Sequence, residues 1–272
     1  MKKSEVIIIS SLFSLVFLSG YSYAGGLLFS GQLPDEEKEH MVIRVPEPPE
    51  NEKVLVEADL GNLLKQGKYD TFTARCEEIL QAHEDDPEIL LYVHMLLGIA
   101  WGFGKEDDGA HRRAVQHFEH AKQLALKDPS KYRLHLAVIL SDLAVAYSSL
   151  KKYKEAMDLY AMIAVEYNGV GSGINKDALA IGAVTKIPAL SIRAGEPPEK
   201  TKQRLLSIVS KCSNADVAAQ ALENIALIEI KQGNRRQAMD ILEQAKKEYP
   251  NSKAAKRADN LIERLGEKPG SK

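Results

Sequence analysis

The sequence contains little cysteine and no excess of charge of either sign. Only two of its 272 residues are Cys, too few for a small fold built on a framework of disulfides. Lys and Arg number 36 against 38 Asp and Glu, which gives a formal net charge of −2. A chain so close to neutral has no long-range field that would attract nucleic acid. Disulfide scaffolds and nucleic-acid-binding proteins are therefore disfavoured.

Motifs that carry enzymatic chemistry are also missing. The chain has no GxSxG nucleophile turn, no Walker loop, no glycine pattern for dinucleotides and no HExxH zinc motif. We therefore predict that the protein is not an enzyme, with no catalytic residues, no resident metal and no cofactor.

Long apolar runs are scarce, and one of them lies at the N-terminus. The run from Val6 to Leu18 follows Lys2 and Lys3, and Ala24 stands where a signal peptidase would cleave. As a helix this run would span about 20 Å, whereas the hydrocarbon core of a bilayer is about 30 Å thick. A retained anchor is thus the weaker alternative. We predict a signal peptide over residues 1–24, cleaved after Ala24, and a periplasmic or secreted mature chain without a transmembrane span.

The rest of the chain divides by composition. Residues 25–53 are rich in Gly, Pro and acidic side chains, which predicts a flexible linker. Residues 54–268 carry apolar side chains at helical spacing in blocks separated by Gly, Pro, Asn or Asp, which predicts a helical domain. Residues 269–272 are left as a short C-terminal tail.

The helical blocks repeat, most clearly between Ala219 and Ser252. The apolar and turn positions of this block are Leu222, Ile225, Ala226, Gly233, Ala238, Leu242, Ala245 and Pro250. Their order resembles the tetratricopeptide repeat, although Glu229 stands where an aromatic side chain is usual. A second unit beginning at about Ala137 shows Leu140, Leu143, Ala144, Tyr147, Tyr153, Ala156 and Tyr160 in the same order. The end of the chain also looks like that of exported bacterial members of this family.

Three further stretches fit the pattern less well. A unit with Leu97, Gly98 and Trp101 has GFGKEDDG, residues 102–109, as an insertion in its turn. Residues 54–87 form a weaker unit, and residues 174–212 fit least because Pro188 interrupts a helix. Since proline in a helix interior costs about 3 kcal/mol, we expect a kink or break near Ile187.

The resemblance implies an all-α fold. We predict a right-handed α-solenoid of about five stacked antiparallel helix pairs, closed by a capping helix from about Ser252 to Leu265. Each pair has an apolar face too wide to cover by itself, so stacking of neighbouring pairs buries it.

Histidines offer the main alternative to a pure scaffold. His111, His117 and His120 lie close together in sequence, and with the 102–109 loop they could serve a metal-dependent or enzymatic protein. Surface histidines are the favoured interpretation, whereas His94 is expected to be packed and hydrogen-bonded. Cys76 and Cys212 are expected to be buried free thiols, because they fall in repeats that are not neighbours.

In this family the first helix of each pair lines a concave groove. We call the residues projected onto that face the groove candidates: Tyr92, Met95, Ile99, Phe103, Val138, Ser141, Val145, Asn224 and Leu227. The groove lacks the basic cluster that would clamp an acidic C-terminus. For the α-helical block around Ile99, packing in the protein core stays open as the alternative to a place in the groove. The resemblance implies a non-catalytic interaction or assembly scaffold in the cell envelope that binds a protein or peptide partner.

Overall fold

The computed structural model describes Leu60, Leu63 and residues 66–104, 107–170 and 177–266. The predicted signal peptide, linker and C-terminal tail lie outside the described residues, and the domain boundaries stay predictions. Side chains are described in these ranges except at 103–104, so the side chain of the groove candidate Phe103 also lies outside the description.

The described part of the chain contains ten α-helices and no strand. They are α1 Tyr69–Ala82, α2 Pro87–Gly104, α3 Asp108–Ala125, α4 Arg133–Ser149, α5 Tyr153–Glu166, α6 Ala178–Arg193, α7 Pro198–Lys211, α8 Ala215–Lys231, α9 Arg235–Glu248 and α10 Lys253–Gly266. The predicted all-α repeat fold is confirmed. None of the helices in these ranges is both long enough and apolar enough to cross a membrane.

The helices form two compact units, whose boundary falls within α5. The described residues up to Ala156 belong to the first unit and those from Met157 onward to the second. Each unit has its own core and is treated separately below.

In the first unit α2 packs between α1 and α3, and α3 packs in turn against α4. Phe72 and Cys76 of α1 and Val93 and Leu97 of α2 are fully buried in one apolar cluster. The contact between α2 and α3 is close because Gly98 faces the ring of Phe118. The small residue that the repeat pattern places at position 98 thus brings two helices together.

In the second unit α8 packs against α6, α7, α9 and α10. Ala226 of α8, Ala238 and Leu242 of α9 and Ala258 of α10 form a fully buried cluster. The hydroxyl of Ser252 accepts a hydrogen bond from the backbone N–H of Ala255 at 3.0 Å and so caps α10. The predicted capping helix therefore covers the last helix pair with its alanine face.

A buried ion pair replaces the aromatic side chain that position 229 usually carries in such repeats. Glu229 is 1% exposed, and the Nζ of Lys202 on α7 lies 2.5 Å from its carboxylate. Asn234 donates a second hydrogen bond to Glu229 at 2.7 Å. The cost of burying the Glu229 carboxylate is thus offset by Lys202 on α7 and by Asn234 in the turn after α8.

Three turns inside helix pairs use left-handed backbone. Gly195, between α6 and α7, and Gly233, between α8 and α9, have φ of 67° and 84°. Lys151, between α4 and α5, has φ of 60° although it carries a side chain. The three turns share one geometry even where the glycine signal is missing from the sequence.

Two local expectations differ from the structure. Of the kink or break expected near Ile187, the break is absent, because α6 runs from Ala178 to Arg193 with Pro188 inside it. The 102–109 segment is not a long loop either, since α2 extends to Gly104 and α3 begins at Asp108. Asp107 caps α3 by accepting a hydrogen bond from the N–H of Ala110 at 2.8 Å. The described residues of the insertion therefore belong mostly to α2 and α3.

Candidate functional site

The groove candidates on α2 are packed inside the first unit. Tyr92, Met95 and Ile99 are 5%, 1% and 4% exposed. Side chains at this depth contribute apolar contacts to the core and have no surface left for a partner. Their burial favours the core-packing alternative that the sequence leaves open.

Along α4 the exposure changes towards the end of the helix. Val138 and Ser141 are buried, whereas Val145 and Ser148 are half-buried. Accessible groove positions on α4 are thus confined to its last two turns.

Helix α8 shows the same gradient in the second unit. Asn224 is buried, Leu227 is half-buried, and Lys231 at the end of the helix is exposed. We call the first helix of each pair the inner helix. Within each unit the C-terminal turns of an inner helix present the accessible part of the predicted groove face, with Val145 on α4 in one unit and Leu227 on α8 in the other.

Asn224 has a structural partner that the sequence did not suggest. Its side-chain N–H donates to the carbonyl oxygen of Val184 on α6 at 3.1 Å. Pro188 lies four residues after Val184 and has no N–H to donate to that carbonyl. Asn224 therefore supplies the hydrogen bond that Pro188 removes from α6, and its amide is not available to a peptide carboxylate.

Arg257 of α10 fixes the polar residues on the same face of α8. Its guanidinium donates to the carboxylate of Glu223 at 3.0 and 2.5 Å and to the side-chain oxygen of Gln220 at 2.7 Å. Gln220 in turn donates to Glu223 at 2.9 Å. Because these groups bind one another, the polar face of α8 near its N-terminal half is occupied by the protein's own C-terminal helix.

A buried histidine joins the inner helices of the first unit. The Nε2 of His135 on α4 lies 2.8 Å from the hydroxyl of Tyr92 on α2, and the two rings meet edge to face. Burial, followed by the charge of Lys131, lowers the pKa of His135 to about 4. His135 is therefore neutral at physiological pH, and Tyr92 is held by a tertiary hydrogen bond rather than offered to a partner.

Three histidines meet at the contact between α2 and α3. We call His94, His117 and His120 the histidine cluster. The Nδ1 atoms of His94 and His117 are 3.0 Å apart, and the rings of His94 and His120 have centroids 5.0 Å apart. Burial is the main cause that lowers the pKa of His94 and of His117 to about 4, with the neighbouring histidines adding to the effect.

The histidine cluster differs in one residue from the group His111, His117 and His120 that the sequence suggests. His117 and His120 are neighbours as expected, but the third member is His94 of α2 rather than His111. His111 precedes His117 by six residues, a spacing that places the two on different faces of a helix. The sequence feature that could have identified His94 as the third member is its position in α2, the helix that packs against the buried face of α3.

The two cysteines are free. Cys76 is buried in the first unit and Cys212 is half-buried in the second. Burial raises the pKa of both thiols, and the Sγ of Cys212 donates to the carbonyl oxygen of Ala164 at 3.3 Å. Neither thiol is in the reactive thiolate form near neutral pH.

Consecutive helix pairs with small residues at their contacts define the class of protein, an all-helical repeat protein. Family models of the tetratricopeptide repeat match residues 136–162 and residues 220–252. The chain therefore contains tetratricopeptide repeats in these two stretches. Arrays of this kind present extended surfaces to other proteins, so protein–protein interaction is the general role of the fold.

Two solved structures are similar to the chain along nearly its full length. BtubC (BKLC) from P. vanneervenii is 16% identical, with 100% of this chain and 96% of that chain covered and a TM-score of 0.45. The apo form of the quorum sensor NprR from B. thuringiensis is 14% identical, with 98% and 82% covered and a TM-score of 0.35. The search of curated protein sequences gives no match. Likenesses this distant carry no information about function.

Proposed function

We propose that the chain is a non-catalytic interaction or assembly module of the cell envelope, which binds a segment of a protein partner. The observation that carries the proposal is the pair of tetratricopeptide repeat matches at 136–162 and 220–252. A folded helical array loses little conformational freedom on binding, so most of the ordering cost falls on the partner segment.

Each unit has its own candidate surface for a partner, the accessible part of α4 in the first unit and of α8 in the second. Val145 and Leu227 are half-buried apolar side chains on the last turns of α4 and α8. Ser148 and Lys231 lie close to them in sequence and supply polar neighbours. An extended segment or amphipathic helix with apolar side chains suits this chemistry. An acidic C-terminus does not, because Asn224 donates to Val184.

The envelope location is part of the proposal and depends on the N-terminal sequence. The run from Val6 to Leu18 and the residue Ala24 are typical of a secretory signal peptide. Expression of the full chain in its native host, followed by fractionation and N-terminal sequencing, tests this step. We expect a mature protein beginning at Gly25 in the periplasmic or secreted fraction. An uncleaved chain in the cytoplasmic fraction would contradict it.

Partner binding is tested by charge substitution at the accessible apolar positions. Val145→Asp and Leu227→Asp place a carboxylate where an apolar contact is proposed, at half-buried sites that the fold can tolerate. Leu126→Asp and Leu206→Asp are the controls, because both leucines are apolar and 50% exposed outside the proposed surface. Each variant is used for affinity capture from the native envelope fraction after its thermal unfolding has been compared with that of the wild type.

The expected result is a protein that the wild type and both control variants capture in equal amounts and that Val145→Asp or Leu227→Asp loses. Equal capture by all four variants would place the binding surface elsewhere. Loss of the captured protein in the control variants alone would also place the binding surface elsewhere.

A further inference from the structure

The histidine cluster has the geometry of an incomplete metal site in the first unit. His94 comes from α2, and His117 and His120 come from successive turns of α3. The Nδ1 atoms of His94 and His117 face each other at 3.0 Å. The ring centroid of His94 lies 5.3 Å from that of His117 and 5.0 Å from that of His120.

The separation of the two Nδ1 atoms suits a shared ion. A Zn²⁺–imidazole bond is about 2.0–2.1 Å long, so two imidazole nitrogens on one tetrahedral ion are about 3.3 Å apart. His94 and His117 need to separate by only a few tenths of an ångström to reach that distance. Both side chains are half-buried, which limits their freedom before any ion binds.

We propose that the histidine cluster binds one divalent transition-metal ion through Nδ1 of His94, Nδ1 of His117 and the imidazole of His120. In the described part of the chain no group of three or more His, Cys, Asp or Glu side chains is already placed to hold a metal ion, so the site forms only when His120 moves. His120 completes the set by rotating towards the pair, which its exposed position permits. Water occupies the remaining coordination position.

The ligand set determines which ions fit. Imidazole nitrogens suit Zn²⁺, Cu²⁺ and Ni²⁺, whereas Mg²⁺ and Ca²⁺ prefer oxygen ligands. Arg113 is the nearby cation that acts on His117, and its guanidinium stacks 4.5 Å from the ring centroid of Trp101. A bound ion would join α2 to α3 and stabilise that helix pair, which is independent of partner binding at α4 or α8.

The test is calorimetric titration of the mature chain, with any affinity tag removed, using Zn²⁺ and then Mg²⁺. We expect one Zn²⁺ per chain, no Mg²⁺ binding and a higher thermal unfolding temperature in the presence of Zn²⁺. His117→Gln and His120→Gln should each weaken Zn²⁺ binding by at least about tenfold, the loss typical of even an outer-shell partner. His111→Gln, on the same helix outside the cluster, is the matched control and should bind as the wild type does.

His120→Gln keeps the test decisive if His117→Gln disturbs packing, because His120 is exposed. The proposal is overturned if the folded wild type shows no saturable Zn²⁺ binding. It is also overturned if binding survives His120→Gln at full strength, or if His111→Gln abolishes it.

Discussion

At the scale of single residues, the close approach of α2 and α3 depends on a glycine. A Cβ atom built at position 98 would lie 2.6 Å from Cε1 of Phe118. Phe118 is 1% exposed, so its ring is surrounded by protein and not by solvent. The repeat pattern requires a small residue here, and the structure shows that even alanine is too large.

Gly98→Ala should therefore destabilise the protein. Overpacking costs about 1–3 kcal/mol, and the gain in helix propensity offsets about 1 kcal/mol of it. We expect a net loss of up to about 2 kcal/mol in the free energy of unfolding, measured by urea denaturation. Gly102→Ala on the same helix is the control, because among the described atoms its Cβ would meet the Cβ of Ala114 at 3.5 Å, an ordinary van der Waals contact. A Gly98→Ala variant as stable as Gly102→Ala would contradict this account of the contact.

The buried His135 predicts a pH dependence of stability. Its pKa of about 4 in the folded protein lies below the ordinary value of 6.5 for histidine, so between these values the unfolded chain takes up the proton first. Stability should fall as the pH drops from 6.5 to 4, by about 3 kcal/mol for this one histidine. Urea denaturation of the wild type and of His135→Gln at pH 7 and at pH 4.5 measures the effect. The wild type should lose about 2–3 kcal/mol more than the variant over this interval; equal losses would show that His135 is not responsible.

At the scale of helices, α6 remains continuous because another helix replaces its missing hydrogen bond. Pro188 cannot donate to the carbonyl of Val184, and Asn224 of α8 donates to it instead at 3.1 Å. Val184 is fully buried and Asn224 is 5% exposed, so water cannot take over this role. The sequence indicated a defect at Pro188, but its repair comes from a residue 36 positions further along the chain.

Asn224→Ala should consequently cost about 1–3 kcal/mol of stability, because it leaves a buried carbonyl without a partner. The cost should shrink in a Pro188→Ala background, where the restored backbone N–H can donate to Val184. A double-mutant cycle by urea denaturation should give a coupling energy of about 1 kcal/mol between the two positions. Strictly additive effects would contradict the proposed repair.

At the scale of the whole molecule, the repeating small and large residues were enough to predict the fold class. The two units that the sequence identified most clearly, near Ala137 and Ala219, are the stretches that the family models match. Helical spacing and the turn residues between helices are local features of the sequence, so they can be recognised without knowledge of tertiary contacts.

The candidate site was harder to predict because its contacts join residues far apart in sequence. His94 and His117 meet across a turn, and Arg257 binds Glu223 from a separate helix. Register projected Tyr92 and Ile99 onto the groove face and left core packing open as the alternative, and the structure buries both side chains. Helical periodicity distinguishes faces of a helix but does not show which neighbour covers each face.

Backbone NMR assignment of the mature chain tests the central claim, a tetratricopeptide repeat array, most directly. We expect helical chemical shifts over α4, α5, α8 and α9, interrupted at left-handed Lys151 and Gly233. Extended, strand-like shifts within residues 136–162 or 220–252 would contradict the repeat fold and the function proposed from it.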